Sequence, residues 1–213
     1  FEAYKIVHDK HPNTLLYLHT TPQATGDPHF DLNRIADFVG LDKEAYMFSD
    51  AYPLFLGYDE ANMRAMYNSF DCFVLPTQGE GFGIPVVEAQ ACGVPVIATD
   101  CTSMPELTQE DMRILVPGTK YIGVGYAAQW NVDKDKLSEA MLKAHEQLSK
   151  PCDCHDGNCD GRPWRRIVSI FAKNYEWDHL YAELWQPFLA RVKSELETPT
   201  LDTLDKMEVL QEF

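Results

Sequence analysis

Short apolar runs alternate with helical patterns along this chain, and that alternation limits the fold more than any other feature. The runs are bounded by Gly, Pro, Asp or Thr and lie at 13–19, 44–48, 72–75, 94–98 and 114–116. Such runs are typical of parallel strands that are covered on both faces. Strands and helices that follow one another in turn predict an α/β fold with a doubly wound parallel, Rossmann-like sheet.

Three helices are predicted between or after these strands. The first has Asp59 as its N-cap and helical apolar spacing through Phe70. The second begins at Pro85, a residue favoured in the first helical turn, and ends near Gly93. The third covers 137–148.

Further helices are predicted at the two ends of the chain. An amphipathic segment at 1–11 has helical spacing and is followed by a proline. The segments 164–172 and 177–193 also have helical periodicity, and Pro187 should kink the second of them. We expect these two to be C-terminal helices that follow the α/β domain.

The composition disfavours two classes of partner. The chain has 213 residues and a formal net charge of -15, so it should repel nucleic acid and anionic membrane surfaces at long range. It contains no apolar stretch of about 18 residues, the length expected of a membrane-spanning helix. The segment 1–11 is unlike a signal peptide, and the free cysteines fit a reducing compartment. We therefore expect a cytoplasmic protein with no nucleic-acid partner and no membrane span.

A glycine-rich turn joins the predicted strand at 72–75 to the helix that begins at Pro85. Gly79, Gly81 and Gly83 can adopt positive φ and allow the backbone to approach a ligand closely. The helix N-terminus after them offers free N–H groups and the positive end of the helix dipole. In open α/β folds this position is the carboxyl edge of the sheet, where ligands bind. The turn therefore predicts an anion site.

Two carboxylates accompany this predicted anion site. Glu80 lies in the turn, and Glu88 lies in the following helix. A carboxylate only accepts hydrogen bonds and can bridge a vicinal diol, so it need not contact a phosphate. A diphosphate with a diol at each end satisfies both features. That description fits a nucleotide sugar, with ribose at one end and hexose at the other.

The residues around this turn resemble a known family. The runs EGFGIPVVE at 80–88, AQACGVPVIATD at 89–100 and SMPEL at 103–107 closely resemble the glutamate-x7-glutamate motif of retaining glycosyltransferases with the GT-B fold, the glycosyl transferases group 1. Weaker likeness covers the strand at 15–19, Phe-Leu-Gly at 55–57 and the aromatic segment at 175–177. The resemblance implies the C-terminal, donor-binding half of a GT-B fold.

The resemblance also implies a role for each matching position. Glu80 would lie near the hydroxyls of the donor sugar and serve catalysis, and Glu88 would hold the ribose. Backbone N–H groups of Phe82, Gly83 and Ile84 would bind the sugar and the diphosphate. Gly57 and Tyr58 would flank the base. Gly81, in the loop, and Thr77, at the end of the strand, would also belong to the donor site. His19 ends a strand at the same edge and is kept as a further candidate.

The chain departs from the family pattern in two respects. The N-terminal domain that binds the acceptor is absent, and so is the opening strand of the donor domain. The loop after that strand normally supplies an Arg and a Lys to the donor diphosphate, and 71–99 contains neither residue. We therefore expect this chain to require its missing N-terminal half and to be inactive alone.

The cysteines fall into two groups. Cys72, Cys92 and Cys101 sit in or beside apolar runs and are predicted to be buried free thiols. Four potential soft metal ligands share one polar loop, at Cys152, Cys154, His155 and Cys159. Four such ligands can bind a structural zinc ion, although this spacing is not that of a standard finger. A zinc site and an insertion with incidental thiols both remain open.

These features together predict transfer of a hexosyl group from a UDP- or GDP-linked diphosphosugar, with retention and without a required cofactor. A non-catalytic nucleotide-sugar-binding or interaction module that needs a partner polypeptide is the alternative. Nucleotide-sugar epimerases and glycogen-type phosphorylases share the architecture, but no suitable context for a pyridoxal phosphate lysine is found. The predicted parts are the donor domain at 1–150, the Cys/Asp/Gly loop at 151–163, the helices at 164–194 and an acidic tail at 195–213.

Overall fold

The computed structural model describes residues 1–23, 31–50, 56–123, 126–150 and 163–197. The chain divides into two compact units, Phe1–Phe171 and Ala172–Phe213. The helices and strands through Ala172 follow in this order: α1 Glu2–Lys10, β1 Leu16–Leu18, α2 Leu32–Val39, β2 Tyr46–Phe48, α3 Glu60–Asn68, β3 Phe73–Leu75, α4 Ile84–Ala91, β4 Val96–Thr99, α5 Met104–Leu107, β5 Arg113–Val116, β6 Gly118–Ile122, β7 Ala128–Val132, α6 Lys134–Leu148 and α7 Pro163–Ala172.

The first two strands form a parallel pair. Leu16 lies opposite Tyr46, and Leu18 lies opposite Phe48. The Tyr46 ring packs edge-on against Phe48 at 5.7 Å between ring centroids. A buried cluster links this pair to α1 and α2, and its members are Tyr4, Ala36, Leu41, Ala45 and Tyr46.

The next three strands form a parallel sheet in the order β3-β4-β5. Val96 lies opposite Phe73 on one side and Arg113 on the other. All four residues of the central strand are buried, which explains why its sequence is a continuous apolar and β-branched run. Helix α6 packs against this sheet through Ala140 and Ala144.

Aspartates begin three of the helices. The Asp59 carboxylate accepts a hydrogen bond from Asn62 N at 2.8 Å, which confirms the predicted cap of α3. Asp31 and Asp133 cap α2 and α6 in the same way. Each bond satisfies a backbone donor that has no partner inside the helix.

Helix α7 packs against the ends of α3 and α4. Gly93, just after α4, has φ +76°, and a Cβ there would meet Arg165 Cβ at 2.8 Å and the Arg165 carbonyl oxygen at 3.0 Å. The Arg165 guanidinium donates through Nη2 to the carbonyl oxygens of Asn68 and Phe70 at 3.2 and 3.3 Å. The glycine is therefore required by close contact as well as by its backbone conformation.

An antiparallel hairpin follows the three-stranded sheet and was not predicted. Strands β6 and β7 pair from Gly118 opposite Val132 to Ile122 opposite Ala128. Lys120 and Trp130 are opposite each other, and Lys120 Nζ lies 5.3 Å from the Trp130 ring centroid. A cation over an indole face is favourable by about 0.5–1 kcal/mol at an exposed site.

The second unit is helical over its described residues. After a 3₁₀ turn at Lys173–Tyr175, helix α8 spans Trp177–Leu180 and helix α9 spans Gln186–Glu197. A π-helical segment, Tyr181–Trp185, joins them. Pro187 lies two residues after the end of this segment, and a proline lacks the N–H that a regular α-helix would use there. The predicted irregularity thus takes the form of a π turn.

The α/β class, the parallel strands and the C-terminal helices are confirmed. The hydrogen-bonded strands fall into a pair, a triplet and the hairpin over the described residues. The loop that carries Cys152, Cys154, His155 and Cys159 lies outside the described residues, as does the tail beyond 197.

Candidate functional site

Thr77 organises the start of the glycine-rich loop, two residues after β3 ends. Its hydroxyl lies 3.0 Å from Glu80 Oε1 and accepts a hydrogen bond from Gly79 N at 3.1 Å. The Thr99 hydroxyl, at the end of β4, donates to the Thr77 carbonyl oxygen at 2.7 Å. The carboxyl ends of two adjacent parallel strands are therefore joined beneath the loop, and Thr77 is brought together with Glu80.

The turn after β4 holds the loop at two more points. Glu80 N donates to Thr102 Oγ1 at 3.2 Å, and Ser103 Oγ donates to the Phe82 carbonyl oxygen at 2.6 Å. Thr102 has φ +47°, which is uncommon for a non-glycine residue. Its conformation aims the hydroxyl at the loop backbone, so this turn acts as a support for the segment around half-buried Glu80.

Gly83 has the positive φ that the sequence allowed at each of the three loop glycines. It caps α4 with φ +98° and ψ +47°, and Pro85 occupies the first turn. Gly79 and Gly81 do not use that freedom, because their φ values lie outside the left-handed region. Hydrogen bonds from Thr77 hold Gly79 in an ordinary conformation, so only the step into the helix requires the left-handed one.

The first turn of α4 faces outward. Phe82 is 49% exposed and Ile84 is 60% exposed, and no side chain caps the helix N-terminus. This arrangement leaves the positive end of the α4 dipole accessible at the carboxyl edge of the sheet.

Glu88 is exposed on α4 and is held by a tyrosine from another helix. Tyr67 on α3 donates its hydroxyl to Glu88 Oε2 at 2.9 Å. Tyr67 itself is buried, with 4% exposure. Burial, followed by the hydrogen bond to Glu88 and its charge, raises the pKa of Tyr67 well above its usual range. The hydroxyl therefore remains a donor, and the carboxylate has a fixed partner.

Gln90 joins α4 to α5 inside the core. Its amide nitrogen donates to the carbonyl oxygens of Val86 at 3.2 Å and Leu107 at 2.6 Å. Its amide oxygen accepts from Gln109 N at 2.8 Å. Gln90 is 1% exposed, and these bonds satisfy its buried polar atoms. The helix that carries Glu88 is thus fixed to the SMPEL segment.

A cluster of aromatic side chains lies at the end of the β1–β2 pair. The His19 and Tyr58 rings are 5.3 Å apart, and the Tyr17 hydroxyl lies 3.2 Å from His19 Nδ1. Burial and the neighbouring Tyr58 raise the pKa of Tyr17. Gly57 beside them has φ +85°. The structure thus brings together His19 and Tyr58, which were predicted separately.

The hairpin contributes a backbone contact that sequence reasoning missed. Trp130 N donates to the Gln78 carbonyl oxygen at 2.8 Å, and Gly79 lies near the Ala128 carbonyl oxygen. A hydrogen bond between two backbone groups that are far apart in the sequence leaves no side-chain pattern from which it could be predicted. Tyr67, Thr102 and Ser103 were also missed, because helical spacing marks Tyr67 as a core position without indicating its hydroxyl partner.

The predicted free thiols are confirmed as free. Cys101 is buried, whereas Cys72 and Cys92 are half-buried. Burial raises the pKa of the Cys72 thiol to about 12 and also raises the pKa values of Cys92 and Cys101. All three are therefore protonated at neutral pH, which disfavours a nucleophilic role. Within the described ranges, no group of three His, Cys, Asp or Glu side chains is arranged to hold a metal ion.

Residues 39–144 match the family model described as glycosyl transferases group 1. This stretch, 106 of the 213 residues, is similar to the glycosyl transferases group 1 family. That stretch includes the glycine-rich loop, both glutamates and their supports. Among the described helices, none has both the length and the apolarity that crossing a membrane requires.

Curated relatives of this domain include two mannosyltransferases. The chain is 43% identical over 130 residues to the O-antigen chain mannosyltransferase B of Escherichia coli, and the aligned stretch covers 59% of this chain and 27% of that protein. It is 35% identical over 101 residues to the lipopolysaccharide core biosynthesis mannosyltransferase LpsB of Rhizobium meliloti (strain 1021), over 46% of this chain and 28% of that protein. The chain thus spans under a third of the length of either relative.

A solved structure agrees with the fold. The sucrose-phosphate synthase of Thermosynechococcus elongatus superposes with a TM-score of 0.61 over 91% of this chain and 42% of that one, at 16% sequence identity. Identity this low shows the fold alone. The chain has an α/β fold that matches the GT-B glycosyltransferase fold.

Proposed function

We propose that this chain is the donor-binding half of a retaining hexosyltransferase, which transfers a sugar from a nucleotide diphosphosugar to an acceptor held elsewhere. One observation carries the proposal. Within a group 1 domain, Glu88 is exposed on the helix that follows the glycine-rich loop and keeps a fixed orientation through its bond to Tyr67. An exposed carboxylate with a fixed direction is suited to accepting hydrogen bonds from a diol.

The proposed roles follow the chain from the loop to the helix. Glu88 holds the ribose, and Glu80 lies beside the hydroxyls of the transferred sugar. Backbone N–H groups around Gly83 and the α4 dipole stabilise the diphosphate as it leaves. Gly57 and Tyr58 flank the base. Catalysis in this arrangement rests on positioning and on electrostatic support, and it requires no metal ion.

The two mannosyltransferase relatives favour mannose as the transferred hexose. The base is open between uracil and guanine. The stretch 71–99 contains no Lys or Arg, so the glycine-rich loop and α4 supply no basic side chain to the diphosphate. Each charge-assisted contact is worth about 1.5–3 kcal/mol. We therefore expect binding weaker than micromolar for the chain alone, and turnover only together with an acceptor-binding half.

Ligand-observed NMR at millimolar GDP-mannose and UDP-glucose tests the proposal. The wild-type chain should show saturation transfer from protein to at least one of the two, and Glu88→Gln should weaken it about ten- to a hundredfold. Glu139→Gln is the matched control, because Glu139 is an exposed glutamate on α6, away from the loop, and loses the same charge. Absence of any transfer to wild-type protein would refute the proposal, as would equal losses in both variants.

A further inference from the structure

The Tyr67 hydroxyl, which bonds Glu88, comes from a side chain that is itself held rigidly in the core. Its ring lies edge-on to Phe70 at 6.1 Å and to Phe73 at 6.0 Å between ring centroids. These contacts and its 4% exposure fix the direction of the hydroxyl relative to β3 and α3. The hydroxyl reaches Glu88 Oε2 at 2.9 Å, between helices that are 21 residues apart at this contact. A rigid point in the core is therefore connected to an exposed carboxylate.

The geometry leaves the carboxylate free to bind a ligand. A carboxylate has about four lone-pair positions, and the Tyr67 hydroxyl occupies one of them on Oε2. Among the described residues, no other hydrogen bond reaches this carboxylate, so Oε1 and the second position on Oε2 remain for a diol. An unsupported exposed glutamate would lose rotamer freedom each time it bound a ligand. Because Tyr67 restricts Glu88 beforehand, less of that freedom is lost on binding.

We propose that Tyr67 is a positioning residue that orients Glu88 toward the ribose diol of a nucleoside diphosphate. This inference rests on the proposed function, since it assigns the ribose to Glu88. Burial and the contact with Glu88 raise the pKa of Tyr67, so the phenol stays protonated and able to donate. Tyr67 touches no ligand in this arrangement, and its effect passes entirely through the carboxylate.

The test compares ligands that differ only in the diol. Dissociation constants of UDP and GDP, and of their 2′,3′-dideoxy forms, are measured by titration NMR for wild type and Tyr67→Phe. Wild type should prefer a ribonucleotide over its dideoxy form. Tyr67→Phe should weaken ribonucleotide binding about three- to tenfold and leave the dideoxy form unchanged. In a Glu88→Gln background, Tyr67→Phe should change neither constant.

Tyr46→Phe is the control for loss of a buried phenol. Tyr46 is 6% exposed, and its hydroxyl donates to Asn33 Oδ1 at 3.3 Å in the other core cluster. Tyr46→Phe should leave the dissociation constants of the ribo and dideoxy nucleotides unchanged. Thermal unfolding of Tyr46→Phe and Tyr67→Phe verifies that both variants are folded. Equal weakening of ribo and dideoxy forms by Tyr67→Phe would overturn the inference, as would preserved discrimination. No discrimination by wild type would overturn the ribose role of Glu88 and the inference with it.

Discussion

Gly83→Ala tests whether the backbone conformation and close packing at Gly83 stabilise the domain. Gly83 has φ +98°, and a Cβ added there would lie 2.5 Å from Met104 Cε and 3.5 Å from Leu107 Cδ1. Met104 is fully buried, so its methyl group cannot move into solvent. The substitution thus forces a left-handed alanine and displaces a core side chain on α5.

The expected loss of stability has two parts. A left-handed conformation costs a non-glycine residue about 1–2 kcal/mol. Overpacking a closed core costs about 1–3 kcal/mol, and the flexible end of a methionine places this case toward the lower value. We expect Gly83→Ala to lower the free energy of unfolding by about 2–4 kcal/mol, a large fraction of a typical total of about 5–15 kcal/mol.

Gly81→Ala is the matched control in the same loop. A Cβ at Gly81 would have no atom within 4 Å, and its φ is not left-handed. Its free energy of unfolding should stay within about 0.5 kcal/mol of wild type. Urea unfolding followed by circular dichroism should show a lower midpoint for Gly83→Ala alone. Equal midpoints for the two variants would refute the reasoning from backbone conformation and contact.

Three further outcomes are expected. Gln90→Leu should lower the free energy of unfolding by about 2–4 kcal/mol in urea titrations, because it leaves buried backbone groups without partners; a loss below about 1 kcal/mol would contradict this. Folding raises the pKa of Tyr67 above the value of about 10 that a tyrosine has in the unfolded chain. The stabilisation that the protonated Tyr67 hydroxyl gives the folded state is therefore complete below about pH 10 and is lost as the pH rises above it. Wild type should therefore lose stability more steeply above that pH than Tyr67→Phe, and parallel urea midpoints across the range would exclude the effect. In steady-state assays with an acceptor-binding half, Glu80→Gln should lower kcat and Glu88→Gln should raise the donor KM, each about ten- to a hundredfold; the opposite pattern would reverse the two roles.

Much of the fold follows from local periodicity. The strand predicted at 94–98 is β4, and its burial on both faces is what made its run continuous. Caps such as Asp59 act over three residues, so they too are visible in the sequence. The β6–β7 hairpin was missed because its connection is longer than a two-residue turn, and because β6 is mostly exposed while β7 is mostly half-buried, so neither strand shows a buried apolar run.

The site was less predictable than the fold for a physical reason. Three loop glycines look alike in sequence, but only Gly83 has a left-handed conformation, because only it leads directly into a helix. The supports from Tyr67, Thr102 and Trp130 are tertiary contacts that no spacing rule encodes. The resemblance to a known family identified the motif in the sequence, whereas the hydrogen bonds that hold the motif in place became visible only in the structure.

The bond from Trp130 N to the Gln78 carbonyl oxygen bears on how the domain is made. During synthesis the glycine-rich loop leaves the ribosome well before the hairpin that supports it, since chains grow at about 5–20 residues per second. The loop is therefore synthesised several seconds before Trp130, and during that time it lacks the hydrogen bond from Trp130 N. Contacts between distant segments also slow folding. The strands of the parallel triplet all precede the hairpin in the chain, so they can pair before it is complete, whereas the glycine-rich loop should reach its final conformation only after Trp130 has been added.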